Sequence, residues 1–189
     1  MPKQLDKIVV VDVESTCWEG SPPHGEESEI IEVGLCLLDV ATGARDVKHS
    51  ILVRPERSTV SPFCTRLTTL TQEAVAGGVP FARACAILRD EYNSRERVWA
   101  SYGDYDRRQF HRQCQERGIP YPFGPTHVNV KNLFALAMNL EEEVSLVEAL
   151  SLLGWQLEGT YHRGDDDAWN IARLLAEILQ RSRQQPAVG

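Results

Sequence analysis

The stretch from 8 to 15, IVVVDVES, constrains the fold more than any other part of this 189-residue chain. Ile8, Val9, Val10 and Val11 are four β-branched residues in a row, stiff at χ1 and suited to a pleated, packed surface. The segment 7–13 therefore reads as a buried strand. Asp12 and Glu14 interrupt it. Residues i and i+2 of a strand project to one face, so two carboxylates stand side by side where the strand ends. Adjacent anions repel and raise one another's pKa unless a cation intervenes. A hard divalent ion with oxygen ligands answers that need; a solvated strand end paired with Arg or Lys is the structural alternative.

The rest of the chain supplies a sheet for this strand to join. Segments 29–38 (EIIEVGLCLL) and 47–53 (VKHSILV) read as strands joined by a turn at Thr42-Gly43, which predicts an antiparallel hairpin. Residues 80–92 place Phe81, Ala84, Ile87, Leu88 and Tyr92 at helical spacing. A strand at 97–103 precedes an amphipathic helix from about 105 to 117, stopped by Gly118. A short strand at 126–131 is followed by helices near 131–138 and 145–153. A last helix at about 166–181 aligns Ile171, Leu174, Leu175, Ile178 and Leu179. Three strands and then alternating helix and strand predict an α/β domain with a mixed sheet, antiparallel at one edge. In such sheets ligands sit at the carboxyl ends of the central parallel strands, which is where Asp12 and Glu14 lie. No Gly-, Pro- or Ser-rich linker divides the chain, so a single domain over 1–189 is expected, with its core at about 7–181 and a flexible tail at 182–189.

Two further acidic groups follow. SYGDYDRRQF (101–110) brings Asp104 and Asp106 to a helix start, where acidic residues also serve as caps and dipole partners. YHRGDDDAWNIARLLAEIL (161–179) brings His162, then Asp165, Asp166 and Asp167, to the start of the last helix. His162 lies in a polar, Gly-bearing loop, free to titrate near neutral pH. Four carboxylates and one histidine in this order match the needs of phosphodiester hydrolysis: two metal ions bridging the phosphate and a general base for the attacking water.

The motifs VVDVEST, SYGDYDRRQF and HRGDDDAWNIARL resemble those of the DEDDh 3′–5′ exonucleases, proteins of the ribonuclease H-like fold. DVESTCWEG, EIIEVGLCLLD, VRPERSTVSPFCTRLTTLTQEAV and YDRRQFHRQC narrow the resemblance to the histone-mRNA and enhanced-RNAi branch, over about residues 7–180. The resemblance implies a central five-stranded mixed sheet, three strands antiparallel and the others parallel, flanked by helices. It implies two Mg²⁺ or Mn²⁺ ions on Asp12, Glu14, Asp106 and Asp167, with His162 as general base. Asp106 is taken over Asp104 because Tyr105 precedes it and Phe110 follows four residues on; Asp167 is taken because it lies five residues after His162. Asp166 is expected to support or cap. The nucleotide pocket is implied at Ser15, Thr16, Cys17, Trp18, Leu67 and Leu70, with Tyr105 or Trp99 stacking on a base; core packing is the structural alternative for Trp99, Leu67 and Leu70. Thr69 in LTTLT stands where the family carries glycine.

The implied activity is removal of 5′-mononucleotides from 3′ ends of single-stranded RNA or short oligonucleotides. The competing readings are a DNA-directed exonuclease and an inactive module that binds 3′ ends. A formal charge of −7 argues against a protein that coats nucleic acid through many phosphate contacts, but leaves room for one that grips a few nucleotides through metal ions. Arg107, Arg108 and Arg112 are phosphate contacts or a solvated helix face. The five cysteines (Cys17, Cys36, Cys64, Cys85 and Cys114) are scattered without CxxC spacing, which excludes a zinc site of that type and points away from a disulfide framework. No apolar run approaches the ~20 residues of a membrane helix, and MPKQLDK lacks the apolar core of a signal peptide. A cytoplasmic setting is expected.

Overall fold

The computed structural model describes residues 3–184. Its elements are β1 (Gln4–Ser15), β2 (Ile30–Asp39), β3 (Arg45–Leu52), α1 (Pro62–Thr68), α2 (Gln72–Ala76), α3 (Phe81–Tyr92), β4 (Arg97–Ser101), α4 (Tyr105–Arg117), β5 (His127–Asn129), α5 (Val130–Ala137), α6 (Leu146–Leu152) and α7 (Gly164–Gln184). The sheet runs β3-β2-β1-β4-β5. β3, β2 and β1 are antiparallel neighbours, and β4 and β5 continue parallel to β1. The α/β mixed sheet with one antiparallel edge is thus the architecture observed.

The alternation along β1 explains both layers and site. Val9, Val11 and Val13 pack with Phe81, Leu88 and Phe110 of α3 and α4. Ile8 and Val10 face the other way, into a cluster with Phe134, Leu150, Ile171 and Leu174 of α5, α6 and α7. Asp12 and Glu14 continue that second face by the period of two. The side of the sheet that α7 covers therefore changes from apolar to acidic within one strand.

α1 and α2, of seven and five residues, were not expected, since segments this short show no helical period. Their signals are local: Ser61 before Pro62, and Thr71, each accepting an amide N–H of the first turn, the usual N-cap chemistry. Thr69 closes α1 at φ 64°, a left-handed cap where glycine carries no steric cost. α7 also runs further than expected. Arg183 donates to the carbonyls of Val40 and Ala41, tying to the β2–β3 turn a segment expected to be tail; residues 185–189 of that tail lie outside the described residues. Among the described residues no helix is long and apolar enough to cross a membrane.

Candidate active site

A cavity of about 290 Å³, at the small end for ligand pockets, opens at the carboxyl ends of β1 and β4. It is lined by Asp12, Glu14, Asp106, His162 and Asp167 together. Residues separated by up to 155 positions in sequence thus meet on one surface, and each is placed by a local cause.

Asp106 sits in the first turn of α4, only 3% exposed. Its Oδ1 accepts the Val13 amide N–H at 2.9 Å. The β1–β4 ladder ends at Val10 and Ala100, so β1 has donors to spare beyond that point, and Asp106 takes one. Asp104, its rival in the sequence, is the N-cap and pairs with Arg107 at 3.2 Å, both side chains substantially exposed. Asp167 accepts the His162 amide N–H on Oδ2 at 3.0 Å, while its Oδ1 is buried with no hydrogen-bond partner among the described residues. Asp166 lies outside the cavity lining, accepting the Thr160 N–H at 2.7 Å and pairing with Lys48, which is a capping and bracing role.

His162 adopts φ 62°, an uncommon conformation for a side chain of its size. Its Nδ1 lies 3.9 Å from Glu14 Oε1, and the Tyr161 ring centroid is 3.9 Å from its own. Glu14, His162 and Asp167 each place one ligand atom within 4.8 Å of the others.

The electrostatics are those of a crowded anionic cleft. Removal from solvent, then the charges of Asp106, Glu14 and Asp167, holds Asp12 well above the usual carboxylate range. Burial, then Asp167 and Glu32, pushes Glu14 up to about 9. Burial pushes Asp106 to about 6 and Asp167 to about 7. A buried carboxylate oxygen without a donor, in a set of oxygens that raise one another's pKa, fits a hard divalent cation. Raised folded-state pKa values mean that the folded chain holds more protons than the unfolded one, so this contribution to stability is present in acid and lost as pH rises through the folded values. Thermal unfolding of the EDTA-treated protein is expected to move to lower temperature between about pH 6 and about pH 9. Added Mn²⁺ is expected to raise the midpoint, most at the alkaline end, where protons no longer compete for the oxygens. An unchanged midpoint with Mn²⁺ at every pH would remove the cation site.

The expected nucleotide residues divide. Ser15, Cys17, Leu67 and Tyr105 line the cavity. Thr16 is fully buried, its Oγ1 bonded to the Ser58 hydroxyl and accepting the Glu29 N–H, each at 2.9 Å. Leu70 is buried against Ile31, Cys64 and Val75. Trp18 is half-buried and outside the lining. Trp99 is a core residue, 1% exposed and stacked on Phe123 with centroids 4.2 Å apart. Arg107 and Arg112 are engaged in pairs with Asp104 and with Glu27 and Glu116. The sequence reading missed Tyr102, Leu146 and Tyr161, which also line the cavity. Tyr161 had a signal, adjacency to His162 in a polar loop; Tyr102 is held by its hydroxyl on the Val144 carbonyl at 2.8 Å, a contact across 42 residues that no local pattern announces.

Comparison with known proteins adds independent findings. The exonuclease (RNase_T) family model matches residues 9–175. Human 3′-5′ exoribonuclease 1 is 32% identical over 186 residues, covering 93% of this chain and 53% of the human protein. The 3′-5′ exonuclease Snipper of Drosophila melanogaster is 27% identical over 195 residues, 92% of this chain and 69% of that one. The chain thus spans about half the length of the human relative and some two thirds of the fly relative. A solved structure of the nuclease domain of 3′hExo, a DEDDh family member, bound to rAMP superposes with TM-score 0.83 at 29% identity, covering 96% of this chain and 95% of that domain.

Proposed function

This chain belongs to the exonuclease (RNase_T) family, and from that membership and its site we propose that it is a metal-dependent 3′–5′ exonuclease. It acts on the 3′ ends of single-stranded RNA or short oligonucleotides and releases 5′-mononucleotides. The observation that carries the reading is the convergence of Asp12, Glu14, Asp106, Asp167 and His162 on one cavity. The human relative's name, an exoribonuclease, and the rAMP bound to the 3′hExo domain support RNA over DNA.

Asp12, Glu14, Asp106 and Asp167 would hold two divalent ions, Mg²⁺ or Mn²⁺, which when bound would stabilise charge on the attacking and leaving oxygens. Burial holds His162 below its ordinary 6.5, so its imidazole is neutral at neutral pH and takes a proton from the attacking water. Glu14, beside its Nδ1, stabilises the imidazolium that results. Leu67, Tyr105 and Tyr161, the exposed large side chains at the rim (38%, 49% and 39%), give the terminal bases apolar faces to stack on, without demanding a particular base. The −7 charge keeps the grip short, because few phosphates are neutralised by the protein itself.

One panel tests this: 5′-labelled single-stranded RNA, single-stranded DNA and duplex RNA, each with Mg²⁺, Mn²⁺ or EDTA. A single-nucleotide ladder on single-stranded RNA that EDTA abolishes is the expected result. A faster ladder on DNA would transfer the activity to DNA ends. Binding of 3′ ends without cleavage in either metal would make the chain an inactive binding module.

A further inference from the structure

Glu32 stands directly opposite Glu14 in the β1–β2 ladder, on the same acidic face of the sheet, and is fully buried. A second buried anion beside Glu14 and Asp167 is electrostatically unfavourable, and both of those groups are held higher by it. Four donors meet it. Arg163 reaches both oxygens, Nη2 to Oε1 at 2.8 Å and Nε to Oε2 at 3.3 Å. The Gly164 amide N–H donates to Oε2 at 2.8 Å, and the Ser50 hydroxyl from β3 donates to Oε1. This is the two-pronged Arg–carboxylate geometry, which fixes orientation as well as charge.

What the fork holds is the residue before it. His162 lies at φ 62°, and a strained backbone conformation persists only where its surroundings over-determine it. On one side, its own N–H is bound to Asp167 at 3.0 Å and its ring rests on Tyr161; these contacts lie within the same loop and helix. On the other side, Arg163 and Gly164 are bound to Glu32, which ties the loop to the central sheet one ladder step from Glu14.

We propose that Glu32 and Arg163 form a positioning pair: they hold the main chain of His162 in its left-handed turn and so keep the imidazole beside Glu14. Neither residue lines the cavity. The inference rests on the reading of His162 as the general base, and its test separates the two.

The full chain is compared as wild type, R163A, R163K, E32Q and the double variant R163A/E32Q. The readouts are the crystallographic φ of residue 162 and its Nδ1–Glu14 separation, kcat and KM on a single-stranded RNA oligonucleotide, and Mn²⁺ affinity by calorimetry. In R163A, residue 162 is expected to leave the left-handed region and kcat to fall roughly tenfold, with KM within about twofold. Mn²⁺ affinity is expected to stay within about threefold, because the carboxylate ligands remain. R163K keeps a neutralising charge near Glu32, and hence the fold, but lacks the fork; it is expected to recover only part of kcat. The double variant removes the buried charge together with its partner and is expected to be less impaired than the two changes multiplied. An unchanged φ at 162 in R163A overturns the proposal; unchanged kcat with the histidine displaced upholds the positioning and overturns the general-base reading instead. A loss of Mn²⁺ affinity equal to the loss of kcat overturns it too, in favour of a pair that supports the cation cage. Should the wild-type protein degrade no oligonucleotide, the exonuclease reading fails while the φ at residue 162 still decides the positioning claim.

Discussion

Asp106→Asn is expected to lower kcat on single-stranded RNA by roughly a thousandfold, while Asp104→Asn stays within about threefold of wild type. The two aspartates are two residues apart at the same helix start, so the contrast isolates position from composition. Asp106 is 3% exposed and anchored on the Val13 N–H. An asparagine there can keep that hydrogen bond through its own carbonyl oxygen, and the fold should survive. What it loses is the negative charge in the cleft that a divalent cation requires. It also presents an amide N–H₂ where only acceptors are useful, so the defect lies in cation binding and turnover rather than in stability. Asp104 is half-exposed and gives up only its surface pairing with Arg107, a contact of the kind that contributes at most about 1 kcal/mol. Steady-state kinetics of the two variants, with thermal midpoints as a folding control, decide the matter. Equal and severe losses would mean that the second acidic position has been misassigned; an active Asp106→Asn would remove that residue from the cation site.

That contrast also marks how far the sequence could be read. Asp12 and Glu14 were legible because a strand's period of two dictates a shared face, and the core residues Ile8 and Val10 extend the same face backwards. Asp106, His162 and Asp167 were legible as a spaced set. Between Asp104 and Asp106, or among the three aspartates at 165–167, periodicity decides nothing, because all sit at the N-cap or in the first turn of a helix, where acidic residues are favoured in any case. Only the resemblance chose; in the structure Asp106 and Asp167 are buried, Asp104 is substantially exposed, and Asp166 is half-buried against Lys48. Residues after the first motif are a different case. Thr16 and Leu70 share a segment with cavity residues Ser15 and Leu67, yet their side chains turn inward, because a bulge at Glu14 and Ser15 and the short helix α1 reset the facing. Glu32 and Arg163 were invisible for another reason. A glutamate inside EIIEVGLCLL reads as a strand residue facing solvent, and its burial depends on an arginine 131 positions away.

The largest effect of all is expected at a residue with no chemistry. Gly34 is the ladder partner of Asp12, and a Cβ built there would lie 1.7 Å from the Gly164 carbonyl carbon, 1.9 Å from its oxygen and 2.2 Å from the Asp165 nitrogen. All three are backbone atoms, so no side-chain rotation relieves the overlap. Gly164 answers in kind: its own Cβ would come 2.8 Å from the Gly34 nitrogen and 3.0 Å from the Asp12 oxygen. The start of α7 therefore rests on bare backbone of β1 and β2, and that closeness is what puts Asp167 and His162 within reach of Asp12 and Glu14. Gly34→Ala must push α7 off the sheet, at about 3 kcal/mol or more on the scale of overpacked cores. Because the displacement falls on the start of the helix that carries Asp167 and on the loop just before it that carries His162, activity is expected to vanish even at temperatures where the variant remains folded. Gly77→Ala is the control: its backbone is at φ −80° and a Cβ would meet only the Ala74 oxygen, at 3.7 Å, so its stability should lie within about 0.5 kcal/mol of wild type. Urea unfolding and the RNA ladder, run on both variants, separate the cases. A Gly34→Ala protein that unfolds at the wild-type midpoint and still trims RNA would show that α7 and the loop before it do not need the sheet's bare backbone to deliver Asp167 and His162.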